Sequence, residues 1–158
     1  MNNKKLPAID TELKSIQQLI QAAKFNDAIK LGTALQKHEL DKEHQIELWY
    51  LIAIAHRYAK ELSNALISIN ALLKLNNEHS RANQEQGYIH LAMKMPQQAK
   101  ISFEKAVKLN PSLVASWQEL IQLYRDTEQM DHVQKAANQL AKLKKLPPAL
   151  LAVTELMH

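Results

Sequence analysis

The chain has 158 residues, 46% of them apolar, with two glycines, five prolines and no cysteine. That is enough for one domain with a core, and it excludes a disordered or collagen-like chain, disulfides, thiolate metal sites and a cysteine nucleophile. A formal net charge of +4, with acidic and basic residues interspersed, is too mild a bias to argue for nucleic acid.

Ala, Leu, Lys, Gln and Glu dominate, and so few Gly and Pro leave little material for strand turns, so the composition predicts an all-α protein. The opening MNNKKLPAIDTEL has no apolar run of signal-peptide length, and nowhere do about 18 apolar residues run uninterrupted. A soluble, cytoplasmic chain without membrane attachment is the expectation.

In chain order, the apolar residues fall into pairs of runs with helical period, each pair broken by a few polar residues. The first pair spans about 9–42 with its break at Phe25-Asn26-Asp27, the second about 46–79 with its break at Lys60-Glu61. The third spans about 80–113, broken at Met95-Pro96-Gln97, and the fourth about 114–147, broken at Thr127-Glu128-Gln129. A last apolar stretch, about 148–157, predicts a C-terminal helix or the start of a further unit.

These pairs repeat one another. ALISINALLKLNN (65–77) and AKISFEKAVKLNP (99–111) lie 34 residues apart and share Ala65/Ala99, Ile67/Ile101, Ser68/Ser102, Lys74/Lys108, Leu75/Leu109 and Asn76/Asn110. The same step aligns Ala53, Gly87 and Ile121; His56, His90 and Tyr124; Ala65, Ala99 and Val133; Ile69, Phe103 and Ala137; and Leu72, Ala106 and Leu140. Upstream, a three-residue offset brings Ile16, Leu19, Ala28, Gly32 and Leu35 into register, and the extra residues are expected in a connector near Asp41–Gln45. A fixed period of this length predicts helical hairpins that bury their apolar faces by stacking. The small columns supply clearance: Ala53 or Gly87 lets the second helix approach, and Ala65 or Ala99 does the same in return.

Residues that could carry chemistry have plainer readings. His38-Glu39-Leu40-Asp41-Lys42-Glu43-His44 has donors of the zinc-binding type but no matching pair elsewhere, and reads as a solvated connector. His56 and His90 read as packing residues in an aromatic column, each with a ring nitrogen hydrogen-bonded nearby. Lys135, Lys142, Lys144 and Lys145 suit a helix C-terminus. With two isolated glycines and no GxSxG, HExxH or paired-carboxylate pattern, no catalytic residue, no metal site and no cofactor is expected.

The 34-residue helix-turn-helix with Trp117, Leu120 and Tyr124, then Ala99, Phe103, Ala106 and Pro111, resembles the tetratricopeptide repeat family over nearly the whole chain. Residues 80–113 match best, through Gly87, Ala99, Phe103, Ala106 and Pro111, with Asn83 and His90 in place of aromatic residues. The resemblance implies a right-handed α-solenoid of about four antiparallel hairpins plus a terminal helix, forming one domain over 1–158. It also implies a non-catalytic protein-interaction scaffold whose first helices line a concave groove for a peptide or a partner helix.

Projected onto this chain, that inner face is Leu13 and Gln17; Tyr50, Ile54 and Arg57; Arg81, Gln84, Tyr88 and Leu91; and Gln118, Gln122 and Arg125. The glutamines would hydrogen-bond an extended backbone, the tyrosines would supply contact area and the arginines would pair with carboxylates.

The carboxylate clamp by which some co-chaperones of this family hold acidic chaperone tails would fall on Leu13, Gln17, Leu51, Arg81 and Glu85. Only Arg81 carries a suitable charge, so no such tail is expected to bind. The stretch LPPALL (146–151) is similar to the inter-repeat spacing of bacterial enzymes with these repeats ahead of a sulfotransferase domain. That implies, as an alternative, a segment presenting substrates or partners to a larger enzyme. The apolar ending predicts either continuation into a longer chain or homo-oligomer contact with a second copy. Nucleic acid and membrane are not expected as partners.

Overall fold

In the computed structural model, which describes residues 8–144, the described residues form eight helices. They are α1 (Ile9–Gln21), α2 (Phe25–Leu35), α3 (Lys42–Tyr58), α4 (Leu62–Leu75), α5 (Ser80–Ala92), α6 (Pro96–Leu109), α7 (Val114–Asp126) and α8 (Met130–Lys144). Consecutive pairs make four antiparallel hairpins, so the chain is all-α, as its composition predicts. The expected C-terminal helix, its oligomer contact and the LPPALL stretch lie outside the described residues.

All four hairpin turns are built alike. A single non-glycine residue takes the left-handed conformation in each: Ala23, Lys60, Lys94 and Glu128, with φ of 58°, 63°, 60° and 57°. Its N–H bonds back to Ile20, Arg57, Leu91 and Arg125 respectively, and the N–H of the following residue bonds to Leu19, His56, His90 and Tyr124. This paired closure satisfies carbonyls that a helix end leaves open.

Two breaks therefore fall earlier than the sequence suggests. Phe25 and Pro96 begin α2 and α6, and the turns are Ala22–Lys24 and Met93–Met95. The polar residues after each turn are first-turn helix residues, where exposure is the rule. Between hairpins, Asn76 and Asn110 leave the helix in extended conformation (φ −151° and −140°), and Pro111 enforces this for Asn110.

The three-residue offset is also placed differently. It lengthens a helix, while a connector of six residues (36–41, against four at 76–79 and at 110–113) is offset by a shorter α2. α3 has 17 residues against 13 in each of α1, α5 and α7, and its extra N-terminal turn begins at Lys42. Asp41 caps that turn by accepting the His44 backbone N–H at 2.9 Å.

The chain divides into two compact units, one ending at Asn77 and the other beginning at Glu78. The first holds α1–α4. Its core joins Leu13 and Ile16 of α1, Ala28 and Leu35 of α2, and Leu48, Leu51, Ile52 and Ala55 of α3, with Leu40 of the connector. The second unit holds α5–α8, and its core joins Ala99, Phe103 and Val107 of α6 to Leu120, Leu123 and Tyr124 of α7 and to Val133 and Ala136 of α8.

The small columns behave as clearance sites: Ala53, Ala65 and Ala99 are fully buried, and a Cβ on Gly87 would stand 2.7 Å from the Phe103 ring. In the last hairpin Ile121, in the column of Ala53 and Gly87, is only half-buried, while Val133, in the column of Ala65 and Ala99, stays buried.

Candidate partner-binding surface

The predicted inner-face residues lie three or four positions apart on first helices, which puts each set on one side of its helix. In the first unit, Tyr50, Ile54 and Arg57 are half-buried along α3. The Arg57 guanidinium lies 4.5 Å from the centre of the Tyr58 ring, within cation–π range. Gln17 of α1 is exposed, but Leu13 is 1% exposed and belongs to the core with Leu48 and Leu51, so it is not an inner-face residue.

In the second unit, Arg81, Gln84, Tyr88 and Leu91 are half-buried on α5, while Gln118, Gln122 and Arg125 are exposed on α7. The two strips are tied together. The hydroxyl of Ser116, on α7 and fully buried, donates to the Gln84 side-chain oxygen at 2.6 Å. The Gln84 oxygen thus accepts one bond from within the unit, and the amide NH₂ is the group's donor.

Tyr88 stands edge-on to Phe103, 5.4 Å between centroids at 78°, so its ring is held by the core beneath it. The Gln122 amide donates to Asp126 at 2.9 Å. Guanidinium groups at Arg81 and Arg125 make the second unit's strips suited to carboxylates.

α5 carries a feature that its sequence conceals. SRANQEQGYIHLA has weak apolar periodicity, yet Ser80, Asn83 and Glu85 are buried at 2%, 2% and 3% exposure. Asn83, in a column occupied by Trp49 and Trp117, donates its amide to the His79 carbonyl at 2.9 Å, and His79 Nδ1 accepts the Ala82 N–H at 3.0 Å. On the flank, Ser102 of α6 donates to Gln86 at 2.8 Å. Small hydroxyls at Ser102 and Ser116 are the only sequence signal for this pairing. Leu13, Leu51 and Glu85 are all buried, which removes three of the five clamp positions from reach of an acidic tail.

The two columns that carry aromatic residues, Trp49/Asn83/Trp117 and His56/His90/Tyr124, are used unevenly. Trp117 is half-buried against the second core with its indole N–H donated to the Pro111 carbonyl at 2.8 Å, and Trp49 is half-buried on α3. The expected hydrogen bond is present for His56, whose Nδ1 lies 2.8 Å from Glu61 Oε2. It is missing for His90: its Nδ1 is buried without a partner because Met95 stands where Glu61 stands in the hairpin before. Burial consequently lowers the His90 pKa below 6.5. Tyr124 completes the column, its phenol pushed up to about 12 by burial and by the neighbouring Glu104 carboxylate.

His44 is not in a solvated connector. It sits in the first turn of α3, with Nε2 3.0 Å from Asp10 of α1 and Nδ1 2.8 Å from Asp41. The hydrogen bond to Asp10 raises its pKa above 6.5, with Asp41 adding to the effect against opposing desolvation. Among the described residues no group of three or more His, Asp or Glu could hold a metal ion, and no helix is long and apolar enough to cross a membrane.

Residues 80–113, the hairpin of α5 and α6, match the tetratricopeptide repeat family. No curated protein sequence matches the chain. Among solved structures it is similar to MamA, at 20% identity and a TM-score of 0.76, over 87% of this chain and 79% of that one. It is also similar to the first tetratricopeptide-repeat domain of Spaghetti (RPAP3), a structure bound to the HSP90 peptide SRMEEVD, at 18% identity and a TM-score of 0.67, over 76% and 93% of the two chains. A third is YrrB, described as a tetratricopeptide-repeat protein with an unusual peptide-binding site, at 14% identity and a TM-score of 0.66, over 96% and 75%.

Proposed function

From the premise that this chain has the tetratricopeptide-repeat fold, with a matched repeat at residues 80–113, we propose that it is a non-catalytic interaction scaffold that binds a peptide or helix of a partner protein. The observation that carries this reading is the Ser116–Gln84 bond. It unites the strips of α5 and α7 into one surface that offers Arg81, the Gln84 amide, Tyr88, Gln118, Gln122 and Arg125. In the first unit, taken by itself, Tyr50, Ile54 and Arg57 of α3 form a separate candidate strip. Under this reading the hairpins at about 9–42, 46–79, 80–113 and 114–147 act as repeats of one domain.

Two relatives support a peptide as the occupant, since one was solved with a bound peptide and the other is described by its peptide-binding site. The chemistry of the surface selects among peptides: guanidinium groups favour carboxylate-bearing segments, and amides beside tyrosines suit an extended backbone.

The test is affinity purification of a partner with the wild-type chain, followed by titration of that partner against Tyr50→Ala/Tyr88→Ala/Gln122→Ala, with thermal melting to verify the fold. Loss of affinity of tenfold or more is expected. Unchanged affinity would reject this surface. The peptide SRMEEVD is expected not to bind.

A further inference from the structure

Each unit has one place where the start of a second helix meets the end of the following first helix. In the first unit these ends are Phe25, which opens α2, and Tyr58, which closes α3. In the second they are Pro96, which opens α6, and Asp126, which closes α7. The two places are equivalent in the repeat, but they are filled differently.

In the first unit the rings of Phe25 and Tyr58 stack at 5.2 Å with 12° between their planes, with Tyr58 51% exposed at the surface, and Ala55 and Ile29, one turn from them on the same helices, belong to or pack against the first core. In the second unit Pro96, Lys100, Leu123 and Asp126 replace Phe25, Ile29, Ala55 and Tyr58. No ring is supplied there. A notch of about 210 Å³ remains, bounded by Pro96, Gln97, Lys100, Leu123, Asp126 and Thr127.

We infer that this notch receives an aromatic side chain presented by a partner peptide, doing from outside what Phe25 does from within the first unit. Its size is adequate, because a cavity of about 150 Å³ accommodates benzene. Its chemistry is suitable too: the floor is Leu123, 7% exposed and part of the core, while the rim carries an ammonium at Lys100 and a carboxylate at Asp126. The filled counterpart has no charge at those two positions. An apolar floor under a rim of opposite charges suits a ring whose peptide backbone and flanking polar groups stay at the surface. None of the notch's lining residues belongs to the nine-residue surface proposed above, although Gln122 of that surface bonds the rim carboxylate of Asp126.

The test uses N-acetylphenylalaninamide as probe, titrated into the full chain and followed by methyl NMR. Saturable shifts of the Leu123 and Thr127 methyls are expected, with N-acetylleucinamide about fivefold weaker and N-acetylglycinamide inert. Pro96→Phe/Asp126→Tyr, which transplants the first unit's pair, should melt at or above the wild-type temperature and lose the shifts. Arg81→Ala/Gln118→Ala, which touches no rim residue, should keep them. If the double variant does not fold, Leu123→Phe, which fills the notch from its floor, serves in its place. An absent response, shifts that survive filling, equal binding of the leucine probe, or shifts confined to α5 would overturn the assignment.

Discussion

The Ser116 hydroxyl reaches the Gln84 side-chain oxygen across 2.6 Å and so ties α7 to α5 at a point where the serine is fully buried. Removing either partner has a different consequence. Ser116→Ala loses a net hydrogen bond, about 1 kcal/mol, whereas Gln84→Ala strands a buried hydroxyl and is expected to cost about 1–3 kcal/mol. Chemical denaturation of both single variants and the double variant should give a coupling near 1 kcal/mol. Strict additivity would mean that the two residues do not share a bond.

Gly87→Ala sets helix propensity against packing. Alanine is favoured over glycine by about 1 kcal/mol in a helix interior, but overfilling a core typically costs about 1–3 kcal/mol. Here the new Cβ would meet Cε1 and Cζ of Phe103 at 2.7 Å, and that fully buried ring is braced by Tyr88, so packing should prevail. A net loss of about 1 kcal/mol is expected, recovered in part when Phe103→Leu is added. Stabilisation by Gly87→Ala would show that the ring moves freely.

Ala99→Glu tests the register of the same hairpin. Ala99 is fully buried in the second core, so the variant must hide an unpaired carboxylate, at a cost of about 3–5 kcal/mol. A thermal melt matching the wild type would refute the packing described.

The four left-handed turn residues are not glycine, and the conformation costs an L-residue about 1–2 kcal/mol. Lys94→Gly and Ala23→Gly should each stabilise the chain by up to about 1 kcal/mol, because the turn hydrogen bonds are made by the backbone and survive. A drop in melting temperature would indicate that the side chain at this position does more than occupy the turn.

His44 and His90 should give opposite pH dependences. The bond to Asp10 raises His44 above 6.5, so its contribution to stability is complete below 6.5 and is lost as pH rises through the elevated folded-state value. His90 is lowered by burial, so its contribution is present above 6.5 and is lost as pH falls through the depressed folded-state value. His44→Gln should remove the loss on the alkaline side and His90→Phe the loss on the acid side of a melting-temperature profile. Imidazole NMR titrations in the same order around 6.5 would corroborate this, and coincident midpoints would refute it.

The sequence by itself determined the class of structure. Apolar spacing, scarce glycine and a recurring interval are local or strictly periodic signals, and they placed the helical pairs and buried columns such as Ile16, Ala28, Ala65 and Phe103. What depends on which side chains meet across helices was not legible. An insertion shifts the register equally whether it loosens a connector or adds a turn to α3, and only the Asp41 cap with the His44–Asp10 contact distinguishes the two. Leu13 and Gln84 likewise read as inner-face residues and Pro96 as part of a polar break, until neighbours distant in sequence bury the first, bind the second and leave a notch beside the third. The physical reason is that helix formation is governed by contacts within a few residues, whereas the character of a surface is set by partners brought together only when the hairpins pack.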